Sequence, residues 1–87
     1  MAMTEVVIGA IESAIESLHS TGEPVLAGLR SQFPEVVFVR CDAADMDAPP
    51  YRSGSHYQLY LFDRSEICIR LTDQPEAADG VIVAELD

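Results

Sequence analysis

Lysine is missing from this sequence and so is tryptophan; its whole fixed positive charge is five arginines, set against fifteen aspartates and glutamates. The resulting net charge of −10 repels phosphodiester backbones and anionic bilayers alike, so neither nucleic acid nor a membrane is an expected partner. No apolar run approaches the roughly 20 residues that cross a bilayer. The opening MAMTEVVIGA has no basic stretch ahead of its apolar residues, and Glu5 and Glu12 interrupt them, so no signal peptide is expected either. Cysteine is scarce. Cys41 and Cys68 make no disulfide framework, which points to a cytoplasmic protein with reduced thiols.

Further absences narrow the chemistry. With two cysteines and two histidines, His19 and His56, and no closely spaced cysteine pair, the chain lacks the converging ligands of a zinc site. Asp42, Asp45 and Asp47 lack the central glycine and closing glutamate of a calcium loop and read as a solvated acidic segment. No glycine-rich phosphate cradle and no nucleophile elbow is present. Ser53, Ser55, His56 and Asp47 lie near one another in sequence, but nothing in their spacing enforces a nucleophile–base pair. No catalytic residue, metal or cofactor is therefore assigned.

What is present describes one small domain over residues 1–87, with 48% apolar residues and a modest core. Residues 1–3 are expected to be a disordered start. Thr4 reads as an N-cap, and Val7, Ile8, Ile11, Ala14, Ile15 and Leu18 recur at helical spacing, with Gly22 as the stop. This predicts a helix over 5–20. Pro24 opens a second, shorter helix, whose stripe is Val25, Leu26, Leu29 and Phe33 and whose end is Pro34. Gly28 is placed to let the two helices approach.

The remainder is β-rich. EVVFVRC, Glu35–Cys41, reads as a strand. Keeping Arg40 near water turns Val37, Val39 and Cys41 inward, although Phe38 argues for the opposite face. Residues 42–56 form a long irregular loop, rich in aspartate, proline and serine. YQLYLFDRSEICIRLT, Tyr57–Thr72, reads as a hairpin. A three-residue turn at Asp63–Ser65 pairs Leu61 with Ile67 and Leu59 with Ile69, burying Leu59, Leu61, Ile67, Ile69 and Leu71. A single turn of helix after Asp73 and a last strand over 81–86 complete an α+β fold, with two N-terminal helices on one face of a three- or four-stranded antiparallel sheet.

That register leaves Tyr60, Phe62, Cys68 and Arg70 on the uncovered face, joined by Phe38. Aromatics and arginine are enriched at interface cores, so these five residues are the interface candidates. The expected function is that of a small acidic accessory protein acting through contact with a protein partner or with a second copy of itself. A second hypothesis is a small-molecule or anion site in which Arg40, Arg52 and Arg70 gather beside the 42–56 loop, with Tyr51 or Tyr57 as a wall. A third makes Cys68 a redox or catalytic thiol.

Phe33-Pro34, Phe38, Cys41 with the aspartates after it, Leu59-Tyr60-Leu61, Asp63, Cys68, Leu71-Thr72 and the closing Gly80-Val81-Ile82-Val83-Ala84-Glu85 form a pattern over about 33–85. This pattern resembles a small bacterial family of unknown function associated with nitrogen-fixation gene neighbourhoods. The resemblance implies an accessory protein and brings no catalytic residue with it. Arg64 stands where that pattern has glycine in the turn.

Overall fold

Local chemistry sets the first helix, α1 (Glu5–Thr21), at both ends. The Thr4 hydroxyl accepts the Val7 N–H at 3.3 Å, and Glu5 adds a carboxylate where the helix dipole is positive. Gly22 adopts a left-handed φ of 75°, and its N–H and that of Glu23 return to His19 and Leu18 carbonyls. Helix α2 (Val25–Gln32) begins after Pro24 and closes with the Phe33 N–H on the Leu29 carbonyl, just before Pro34. Gly28 lies against Leu18. A Cβ added there would sit 2.6 Å from a Leu18 methyl, so the absence of a side chain lets the helices approach.

The structure, a computed structural model, describes residues 3–64 and 70–86. Met3, expected in a disordered start, is instead buried in the core. The strands are β1 (Val37–Asp42), β2 (Arg52–Ser53), β3 (Tyr57–Asp63), β4 (Arg70–Thr72) and β5 (Gly80–Glu85). The expected α+β architecture with N-terminal helices is present, but among the described residues the sheet has five strands and is mixed rather than antiparallel. β5 lies between β1, to which it is parallel, and β3, to which it is antiparallel. Its run Gly80–Ala84 is buried throughout, as a central strand covered on both faces should be. Local alternation reports which residues share a face, not which strands become neighbours, and so it missed the parallel pair.

The hairpin register also differs. β4 pairs Leu61 with Thr72, Phe62 with Leu71 and Asp63 with Arg70. Leu59 cannot take the expected partner because β2 occupies the same edge, with Arg52 opposite Leu59. β2 and β4 thus divide the outer edge of β3 between them. Leu71 joins the Phe62 face and Arg70 the Leu61 face, the reverse of expectation. Ile67, Cys68 and Ile69 lie outside the described residues.

Both sheet faces are covered. On one, Ile8, Ile11, Ile15, Leu18 and Leu29 of the helices pack over Phe38, Leu59, Leu61, Val81 and Val83. Val36 and Phe38 turn toward the helices, not Val37, Val39 and Cys41, because the parallel register sets Phe38 beside Val81. On the other face, Tyr60, Phe62, Ile82 and Ala84 form a second cluster with Val37, Val39, Cys41, Ala43, Met46 and Ala48. Here the 42–56 loop acts as the cover. After a short 3-10 turn at Ala43–Asp45 it runs over the sheet, and the Tyr60 hydroxyl donates to the Ala48 carbonyl at 3.0 Å. The aromatic face that was expected to lie open is core.

Candidate functional site

The interface candidates do not form a surface. Phe38 and Tyr60 are each 3% exposed and Phe62 is 0% exposed, on opposite sides of the sheet. Arg70 is exposed on β4 beside Asp63, with a 4.0 Å ion pair, and Cys68 lies outside the described residues. The aromatics were misassigned because the face was judged by the helices available to cover it, whereas a loop does so.

The ligand candidates are dispersed too. Arg40 sits on β1 and Arg52 on β2, the two ends of the strand order, while Arg70 pairs at the far end of β3. Each has its own carboxylate. Arg40 meets Glu85 at 2.8 Å, which holds the guanidinium more firmly protonated than usual. Arg52 meets Glu5 and Glu12 of α1. Tyr51 donates its hydroxyl to Glu5 and stacks under Arg52, whose guanidinium carbon is 5.4 Å from the ring centre. Tyr51–Arg52–Glu5 therefore clamps the loop onto the helix.

One carboxylate of that clamp is legible in pH. Glu5 is lowered below the ordinary carboxylate value, first by the Tyr51 hydrogen bond and then by the Arg52 charge; the same bond raises the Tyr51 hydroxyl. A carboxylate whose folded pKa is depressed stabilises the fold above its unfolded pKa, and that contribution is lost as pH falls through the folded value. Glu5→Gln should accordingly lower the denaturation midpoint slightly at neutral pH. The gap from the wild type should close below about pH 4. Denaturant titrations across that range measure it; a gap that persists or widens in acid would refute the clamp.

What the fold does bring together is a different set. On the helix side the apolar rows give way at one end of the sheet to Tyr57, opposite Glu85, with Arg40 leaning in from β1. The end of α1 and the start of α2 form the walls, so that His19, Pro24, Val25, Leu26 and Arg30 face the same opening of about 580 Å3. His56 stacks on His19 with ring centres 3.9 Å apart, and Tyr57 meets His19 edge-on at 6.0 Å. Burial pushes the Tyr57 hydroxyl up, and the Glu85 charge adds to that. Arg30 donates to the Phe38 carbonyl at 3.1 Å and has no carboxylate partner among the described residues.

Of this cleft, sequence reasoning had singled out only Arg40 and Tyr57 as ligand residues. Neither His19 nor Arg30 carries a local signal for it. Arg40 and Glu85 are 45 positions apart, and no local motif joins them. Among the described residues no cluster of three or more potential metal ligands occurs, and no helix is long and apolar enough to cross a membrane. Comparison with protein-family models, with curated proteins and with solved structures gives no match for this chain.

Proposed function

We propose that the protein works by contact rather than catalysis, as a small acidic accessory domain that docks on a basic protein partner in the cytoplasm. The observation carrying this reading lies along β1, an edge strand of the sheet. Val37, Val39, Cys41 and Met46 are only partly buried there, and the exposed Asp42, Asp45 and Asp47 border them. An apolar strip inside an acidic rim suits a partner presenting apolar side chains among lysines or arginines, with charge steering the encounter. The surplus of acids over arginines supports the same reading. A setting beside nitrogen-fixation genes belongs to this proposal through the resemblance alone.

A fluorescently labelled peptide of alternating lysine and leucine is a direct probe. Saturable binding that weakens as salt is raised, and that falls at least about tenfold in Val39→Asp, is the expected result. Binding that ignores Val39→Asp, or none at all, would overturn the reading. Light scattering decides whether a second copy is the partner: a monomer at high micromolar concentration removes the homodimer.

A further inference from the structure

We propose that the cleft between the start of α2 and the open end of the sheet binds a small molecule carrying a compact oxyanion, a carboxylate or phosphate ester. It lies on the helix side, away from the β1 strip, and stands or falls independently of partner docking. Two of the five arginines, Arg30 and Arg40, face it in a chain of net charge −10. Arg30 is the telling one. Acids outnumber arginines three to one, yet Arg30 has no carboxylate partner among the described residues, while its bond to the Phe38 carbonyl holds it at the cleft.

Three further features fit an oxyanion. Val25 and Leu26 of the first turn of α2 line the same opening, and Pro24 supplies no side-chain cap for the N–H groups of that turn. Arg40 is oriented beforehand by Glu85, so little ordering is needed on binding. The Tyr57 and His19 rings, set edge to face, line the opening for the ligand's body, and a volume of about 580 Å3 suits a small organic molecule. The opposing charges are Glu85, engaged by Arg40, and Glu23 on the rim.

The test is an amide NMR titration of the whole protein with sodium phosphate, and separately with sodium benzoate, each against sodium chloride at matched ionic strength. Saturable shifts of the Val25 and Leu26 amides are expected with at least one of the two anions and not with chloride. Arg30→Gln should weaken that binding about tenfold, as loss of a charged hydrogen bond does, while Arg52→Gln leaves it unchanged. The same spectra report whether each variant is folded. If Arg30→Gln does not fold, Arg40→Gln replaces it, since the Arg40 side chain is 62% exposed and outside the core. Shifts that never saturate, that match chloride, or that survive loss of the arginine overturn the proposal.

Discussion

Phe62→Ala is expected to lower stability by about 3–5 kcal/mol, the range for a buried phenylalanine cut to alanine. A domain of 87 residues has of order 4–13 kcal/mol in total, so the change removes a large part of the margin that keeps the chain folded. Phe62 has no exposed surface, and it packs with Tyr60 and Ile82 beneath the covering loop. Circular dichroism during denaturant titration measures the change. The experiment separates two assignments of this side chain. Were Phe62 on an open docking face, its loss would leave stability nearly unchanged and alter only association; a shift under about 0.5 kcal/mol would therefore refute the second core.

Gly80→Ala should be nearly as damaging for the opposite reason. A Cβ at this position would lie 2.3 Å from the Val37 carbonyl oxygen and 2.6 Å from the Phe62 ring. Neither neighbour can yield: the carbonyl belongs to the adjoining parallel strand, and the ring is enclosed on all sides. Overpacking of this kind costs about 1–3 kcal/mol even where side chains can adjust, so a loss of at least 2 kcal/mol is expected. Gly80→Ala combined with Phe62→Leu should cost less than the sum of the two single changes, because the smaller side chain vacates part of the overlap. Strict additivity would mean that ring and glycine are not in contact.

The parts of the fold that were legible in the sequence are those decided within a few residues. Thr4, Gly22 and Pro34 act through their own hydroxyl, φ freedom or ring, so the helices could be placed from their neighbours alone. The alternation of β3 correctly separated Leu59 and Leu61 from Tyr60 and Phe62. What alternation could not supply was the environment of each face. Burial of Tyr60 and Phe62 depends on Met46 and Ala48, which fall at no regular period in an aspartate-rich loop. Register failed for a related reason: β2 claims the edge of Leu59, and two residues are too short a strand to announce themselves. The cleft was least legible of all. His19 meets His56, and Arg40 meets Glu85, only because β5 draws distant segments to one end of the sheet.

The position of β5 has a kinetic consequence. It is the last strand to occur along the described chain, yet it lies between β1 and β3, which have no direct pairing with each other. Helix α1 can form early from local interactions, but the sheet must close the long loop between β1 and β5 before either neighbour gains its inner partner. The rate-limiting step of folding is thus expected to be insertion of β5. Changes within Val81–Val83 should slow refolding, whereas changes at the β2 and β4 edge should chiefly quicken unfolding.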